Sequence, residues 1–360
     1  LEIQEILVKL EEKHASDLHL RVPRPPVFRI DGVLTIQEDY PPMTPEDLET
    51  VFAAITSKQK QEHFQREHEL DFAYAVPGLA RFRVNVLLQR GTLSIAFRMV
   101  PFEVPSIDKV GLPPILRELV LSPRGLILVT GHTGSGKSTT LAAMINHLNH
   151  TERRNIITIE DPLEFLHHND KSIIAQRDLG DDTASFASAL MHVLRHDPDV
   201  IVIGEMRDLL TMTAAITAAE TGHLVMGTLH TTDASQTIDR VIDIFPPDQQ
   251  QQIAFQLSTL IVATLSQTLL PRLEGGRVAA FEIMTGTPAV RNLIRERKAY
   301  QIPSVMELSS KDGMQTLDQA LADLVRRRLV ARDRAMMKSS DPEALSKLLK
   351  SPVSTIRHSK

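Results

Sequence analysis

Gly131-His132-Thr133-Gly134-Ser135-Gly136-Lys137-Ser138 sets three glycines, a lysine and a hydroxyl at the G-x-x-x-x-G-K-[ST] spacing of a phosphate-binding loop. Glycines let backbone N–H groups curl around phosphate oxygens, and the start of the following helix adds partial positive charge. Lys137 is then the residue that neutralises the β and γ phosphates, and the Ser138 hydroxyl is a ligand for Mg²⁺. Thr139 completes the first helical turn. The apolar run Gly125 to Thr130 leads straight into the loop, so the context is strand, loop, helix. ATP with Mg²⁺ is the expected occupant, because a mere flexible glycine turn needs neither flank.

Hydrolysis requires a group that orients the attacking water, and Asp199-Val200-Ile201-Val202-Ile203-Gly204-Glu205 supplies one at the end of a second apolar strand. Glu205 is the candidate. An ordinary Walker B strand has Asp where Gly204 stands, so the carboxylate behind Mg²⁺ must come from elsewhere. Glu160-Asp161-Pro162-Leu163-Glu164 follows the run Ile156 to Ile159, and acids at a strand's carboxyl end lie where α/β folds bind ligands. Glu160 is the candidate metal ligand beside Ser138, although a solvated acidic loop has the same spacing. Two histidines flank the run Leu224 to Leu229. His230, at its carboxyl end, is placed to sense a γ-phosphate; His223, at its start, is a second sensor or a cap on the strand's entry.

These groups need a scaffold, and the patterning describes two. Ile3, Ile6, Leu7 and Leu10 have helical spacing, and Val27 to Ile36 reads as a hairpin around Asp31-Gly32. Thr44-Pro45-Glu46-Asp47 opens another helix, and Leu70 to Val76, Arg81 to Arg90 and Leu93 to Val100 read as strands. Residues 1 to about 100 are therefore an antiparallel sheet carrying helices. In Arg81 to Gln89, Phe82, Val84, Val86 and Leu88 share one face, with Arg81, Arg83 and Asn85 on the other. Pro101, Pro105, Gly111, Pro113 and Pro114 mark a linker. Beyond it, apolar runs without alternation indicate a parallel sheet buried on both faces, hence an α/β fold. After Pro288 the chain reads as mostly helical to about Lys350, with Ser351 to Lys360 a frayed tail. In the helix opened by Thr287-Pro288, Val290, Leu293 and Ile294 face inward and Arg291, Arg295 and Lys298 present charge outward.

The 360 residues include no Cys, which removes disulfides and thiolate metal sites and fits a reducing compartment. Lys and Arg number 40 against 45 Asp and Glu, and aromatics are only 4%, which argues against a nucleic-acid binder. The N-terminus has no basic region and apolar core of a secretory signal, so export is not expected. No apolar stretch is long enough to span a bilayer; Leu257 to Leu270 is interrupted by six polar residues at 258, 259, 264, 266, 267 and 268. Arg326-Arg327-Arg328 with Arg332 and Arg334 reads as a solvated helix face rather than an anchor.

In order, the motifs resemble those of the secretion ATPases of type II secretion and type IV pili, a P-loop family. They are the P-loop at 131 to 138, an aspartate box Ile159 to Phe165, the atypical Walker B Gly204-Glu205-Met206-Arg207-Asp208, and a histidine box ending at His230. The family tolerates Gly204, and the resemblance implies Glu205 as catalytic base and Glu164 as a second essential acid, alongside Lys137 and His230. Ala15-Ser16-Asp17-Leu18-His19-Leu20 is similar to a signature of the branch that retracts pili. So is Ala289-Val290-Arg291-Asn292-Leu293-Ile294-Arg295-Glu296, with Val290 for the usual Ile. Extension and secretion members are longer and usually carry a four-cysteine module that is missing here. His132 occupies a free position of the loop where the family often has Pro.

The resemblance further implies a PAS-like α+β domain over 1–100, a linker over 101–114, and a RecA-like ATPase domain with C-terminal helices over 115–360. It implies a homohexameric ring with ATP between the two domains, contacted by Arg83, Arg90 and Arg98. The expected partners are an inner-membrane platform protein and the pilus base, reached by peripheral attachment at the cytoplasmic face. Three other readings compete: an accessory retraction ATPase of the same family, a RecA-like nucleic-acid motor, and a nucleotide-binding regulator without turnover. Acidity opposes the second, and Glu205 has no use in the third.

Overall fold

A computed structural model of the chain describes residues 2–100 and 104–350. The readings of Pro101 and of Ser351 to Lys360 lie outside these described residues. The chain forms two compact units. One holds residues 1–103 with two short later segments, Pro162–Leu166 and Asp178–Asp182; the other holds Val104–Asp161, His167–Arg177 and Thr183–Lys360. The polypeptide thus changes unit five times, after residues 103, 161, 166, 177 and 182.

In the first unit α1 (Ile3–Glu12) buries Ile3, Ile6, Leu7 and Leu10 at the expected spacing. It precedes β1 (Asp17–Arg21), β2 (Val27–Ile30) and β3 (Val33–Ile36). Asp31 (φ 48°) and Gly32 (φ 83°) both take left-handed backbone, the type I′ geometry that matches the twist of a two-residue hairpin. Next come α2 (Pro45–Ile55), α3 (Lys58–Glu67), β4 (Glu69–Val76), β5 (Ala80–Gln89) and β6 (Thr92–Val100). Thr44 and Asp47 close a reciprocal capping box at the start of α2, with Pro45 in its first turn. The six strands form an antiparallel sheet in the order β3-β2-β1-β6-β5-β4. Phe82, Val84 and Val86 face its core as patterned, whereas Leu88 is exposed because the last three residues of β5 run past the core.

The second unit begins with α4 (Leu116–Leu119), β7 (Gly125–Thr130), α5 (Lys137–Thr151), β8 (Asn155–Glu160) and β9 (Ile173–Asp178). It continues through α6 (Phe186–Val193), β10 (Val200–Ile203), α7 (Leu209–Glu220), β11 (Leu224–Leu229), α8 (Ala234–Asp243) and α9 (Gln250–Leu260). The strands β12 (Ile261–Pro271) and β13 (Arg277–Thr285) follow, and then α10 (Pro288–Arg295), α11 (Ile302–Leu308), α12 (Leu317–Arg326), α13 (Arg332–Met336) and α14 (Pro342–Lys350). The sheet order is β13-β12-β7-β11-β10-β8-β9. β8, β10, β11, β7 and β12 run parallel, and β13 returns antiparallel to β12. Leu126 and Leu128 of β7 pack with Leu190, Met212, Ile238 and Leu257 on one face, while Ile127 and Val129 meet Leu141, Met144 and Leu148 of α5 on the other. Burial on both faces is why β7, β8, β10 and β11 read as apolar runs without alternation.

Several features differ from the sequence patterning, β1, α3 and β9 among them. β12 and β13 were not foreseen; α9 passes into β12 at Leu260–Ile261 with neither glycine nor proline between them. Arg291 was expected to present its charge outward, yet its guanidinium donates to Gly286 O, Thr259 O and Ile261 O. The reason is that carbonyls at the end of α9 have no intrahelical donor, and a guanidinium satisfies several at once. Among the described residues no helix is long and apolar enough to cross a membrane.

Candidate nucleotide site

β7, β11, β10 and β8 are consecutive, parallel neighbours, so their carboxyl ends share one edge of the second unit's sheet. Open α/β sheets bind ligands at that edge. The chain delivers to it the loop Gly131 to Ser138 from β7, His230 from β11, Gly204 and Glu205 from β10, and Glu160, the last residue of β8. Neighbouring strands lie about 5 Å apart, so this order sets the Glu205 strand roughly 10 Å from the P-loop strand.

The loop's shape is dictated by its wall. Gly131 (φ 142°) lies so close to β12 that a Cβ there would come within 2.4 Å of Gln267 O and 2.6 Å of Ser135 Oγ. Gly136 (φ 94°) is the N-cap of α5, and the first i→i−4 bond of that helix is Thr140 N to Gly136 O. The amides of Lys137, Ser138 and Thr139 therefore precede the helix's own ladder, as phosphate binding requires. The Lys137 ammonium donates to Gly131 O (2.8 Å) and His132 O (3.2 Å). Ser135 Oγ is buried with no hydrogen-bond partner. An anion receptor built of first-turn amides, a lysine and an unpaired hydroxyl fits the phosphates of ATP. Ser138 is half-buried in the first turn of the same helix.

Glu205 is the hub of the second half. Its Oε1 accepts from His230 Nε2 at 2.7 Å and also from Arg207 Nε. Burial pushes the carboxyl up, but the hydrogen bonds and charges of Arg207 and His230 outweigh it and hold Glu205 below the usual range. Gly204 explains the atypical Walker B: its N–H donates to Ile159 O at 2.7 Å, and a Cβ would lie 3.1 Å from Glu160 Cα. An Asp side chain at 204 has no room unless β8 shifts. Glu160 Oε1 accepts from Thr158 Oγ1 (2.7 Å) and Gln176 Nε2 (3.2 Å), which fixes the acid at the strand end. His223 sits at the opposite, amino end of β11, where its Nδ1 lies 2.8 Å from Ala218 O, a capping contact. Among the described residues no group of three or more His, Asp and Glu forms a metal cage.

Glu164, Arg83, Arg90 and Arg98 belong to the first unit. Glu164 is exposed, and the preceding amide, Leu163 N, donates to Asp178 Oδ1 (3.3 Å). Asp178, nearly fully buried, also accepts from Arg81 (2.8 Å); burial raises its carboxyl against the pull of that arginine. Arg98 Nε donates to Asp17 Oδ1 (2.7 Å), Arg83 is half-buried on β5, and Arg90 (φ 52°) forms the β5–β6 turn.

A model of the family "Type II/IV secretion system protein" matches residues 2–278. The chain belongs to that family. It is 46% identical over 343 residues, 95% of this chain and 99% of the relative, to the type IV pilus retraction ATPase PilT of Pseudomonas aeruginosa. It is 39% identical to the type IV pilus ATPase PilU of the same organism, covering 89% of this chain and 86% of PilU. A crystal structure of the pilus retraction motor PilT with bound ADP superposes with a TM-score of 0.90 at 47% identity, covering 96% of this chain and 99% of that one.

Against this family background, two groups near the site escaped the sequence reading. Gln267 of β12 donates from Nε2 to Ser135 O (2.7 Å) and accepts at Oε1 from Thr140 Oγ1 (2.8 Å). Glu282 of β13 accepts from Ala234 N (2.7 Å), the first residue of α8 and four beyond His230. Burial lifts Glu282 to about 7, helped by the charges of Asp233 and Asp318 and opposed by the Ala234 and Leu317 amides. Neither had a motif to announce it; a polar residue inside an otherwise apolar strand was the available signal.

Proposed function

We propose that this chain is the motor ATPase of type IV pilus retraction, and that Gly131, His132, Thr133, Gly134, Ser135, Gly136, Lys137, Ser138 and Thr139 hold ATP. The carrying observation is the set of consecutive strand ends that gathers the P-loop, His230, Glu205 and Glu160 on one edge. Near-complete coverage of a pilus retraction ATPase at 46% identity supports retraction over the accessory role, for which the similarity is lower.

Glu205 orients the attacking water and His230 orients Glu205. A carboxylate held below its usual range is a weak base, which suits phosphoryl transfer: its loose transition state asks for positioning and charge stabilisation more than for proton abstraction. Ser138 and Glu160 would hold Mg²⁺, which supplies charge neutralisation on the β and γ oxygens. Glu164 is the second essential acid, and Arg83, Arg90 and Arg98 contact nucleotide in an assembled ring. The first unit is then PAS-like and the second RecA-like, joined as a homohexamer that docks on an inner-membrane platform protein and the pilus base at the cytoplasmic face. Work follows when ATP and ADP favour different arrangements of the ring.

The test is ATP hydrolysis by the purified chain across a range of protein concentrations, with Lys137→Ala as background. Specific activity that climbs with concentration supports a ring enzyme, and activity at background throughout defeats it. Retraction itself is read in a retraction-deficient strain. Twitching restored by the parent chain and not by Glu205→Gln is expected; no restoration by the parent overturns the assignment.

A further inference from the structure

The P-loop is held from behind by a side chain that belongs to none of the recognised motifs. Gln267 lies 127 residues beyond Thr140 and 132 beyond Ser135, yet its carboxamide joins both. All three residues are buried: Gln267 is 4% exposed, Ser135 6% and Thr140 1%. Gln267 shares a face of β12 with Ala263 and Leu265, which pack in the same core as α5. Its neighbour Ser266 points to the other face and accepts from Thr130 Oγ1 (2.8 Å), pinning the last residue of β7. β12 therefore grips the strand that enters the loop, the loop itself and the helix that leaves it.

The geometry of one peptide gives this grip a role. In a trans peptide the C=O and the following N–H point in opposite directions. The Ser135 carbonyl is directed at the Gln267 amide, so the Gly136 N–H is directed away from β12. Without that donor the Ser135–Gly136 peptide is free to flip, since Gly136 has no side chain to oppose rotation. A flipped peptide would present an oxygen, rather than an N–H, to a phosphate. A Cβ at Gly136 would approach Gln267 Nε2 to 3.1 Å, so the glycine is also what lets the amide reach the loop.

We propose that Gln267 is a positioning residue for phosphate binding, which locks the Ser135–Gly136 peptide in its anion-binding orientation and ties it to α5 through Thr140. The proposal rests on the reading of residues 131–139 as the nucleotide site. Gln267 touches the loop's backbone and acts on the phosphate only through it. Its side chain carries no charge, so it sets orientation without adding to the field at the phosphates.

The experiment measures ADP binding to the full-length protein by calorimetry between pH 5.5 and 8.5, for the parent, Lys137→Ala, Gln267→Met, Gln267→Glu and Thr140→Val. Gln267→Met, similar in volume but unable to make either bond, is expected to bind ADP at least about tenfold more weakly, and Thr140→Val more weakly by a smaller factor. Gln267→Glu supplies the decisive profile. Its protonated carboxyl donates to Ser135 O, whereas its carboxylate repels that carbonyl, so ADP affinity relative to the parent must recover as pH falls. A role confined to stability predicts a lower melting temperature with unchanged ADP affinity and no such recovery, and that result overturns the proposal. If Gln267→Met does not fold, the Gln267→Glu profile decides alone. Parent-like binding by the Gln267 variants with binding lost in Lys137→Ala sinks the positioning role and leaves the nucleotide site standing. Parent-like binding by Lys137→Ala sinks the site assignment itself.

Discussion

The two halves of the nucleotide edge are built by opposite means. At the end of β7 the loop is fixed by neutral hydrogen bonds among residues almost wholly out of water, Gln267, Thr140, Ser135, Thr130 and Ser266. At the end of β10 the acid is held by charged partners that reach in from solvent; the Arg207 side chain is 73% exposed and His230 43%. Buried neutral bonds keep their strength in salt and are expensive to break, whereas exposed ion pairs are screened and contribute little. On the proposed reading, the phosphate loop is the firmly held half, and the bonds of Glu205 are the cheaper ones to exchange.

The largest expected effect separates the halves outright. Glu205→Gln should lower ATP turnover by about 100-fold or more, the usual scale for loss of an acid–base group, while ADP affinity by calorimetry changes less than about threefold. An equal loss of ADP affinity would erase the distinction. Glu282→Gln probes the acid that receives the first amide of α8. Its folded carboxyl titrates near 7 against 4.5 unfolded, so between those values the native state keeps a proton that the unfolded chain has released. Stability must then fall as pH rises from about 4.5 to 7, by on the order of 3 kcal/mol for this group. Chemical denaturation across that range should show a shallower decline in Glu282→Gln than in the parent; identical slopes would place the acid in a different environment.

His230→Asn sharpens the contrast with a smaller effect, roughly a tenfold loss of turnover. Removing one of the two partners that depress Glu205 should also move the acidic limb of the pH–rate profile upward. An unmoved limb would mean that His230 does not act through Glu205. Arg207→Gln should be mildest, changing melting by little more than a degree or two because its ion pair is so exposed. Its turnover should lose its salt dependence relative to the parent.

How much of this was legible in the chain depends on where the hydrogen bonds go. The P-loop, the Asp31-Gly32 hairpin and the Thr44 cap are local, each closed within a few residues, and each was readable. The placement of Glu205 and His230 beyond strand ends was readable because a parallel strand brings its carboxyl end to the same sheet edge wherever the strand sits in the order. β12 was not. Thr264, Ser266 and Gln267 break its apolar run, so it resembles a half-solvated segment, although all three are buried. The partners of Ser266 and Gln267 stand more than 120 residues away, and no window along the chain can find them. Arg291 failed for the same reason: its carbonyl acceptors at 259 and 261 become neighbours only after α9 turns into β12.

Five crossings of the polypeptide between the two units bear on how the molecule can be dissected. A gene fragment ending at residue 103 severs only the first of them. It would leave Arg81 without Asp178 and Lys60 without Asp181, both contributed by a segment encoded some eighty residues downstream. Domain swaps between family members should accordingly carry residues 162–166 and 178–182 along with the N-terminal unit, because the natural module is discontinuous in the gene.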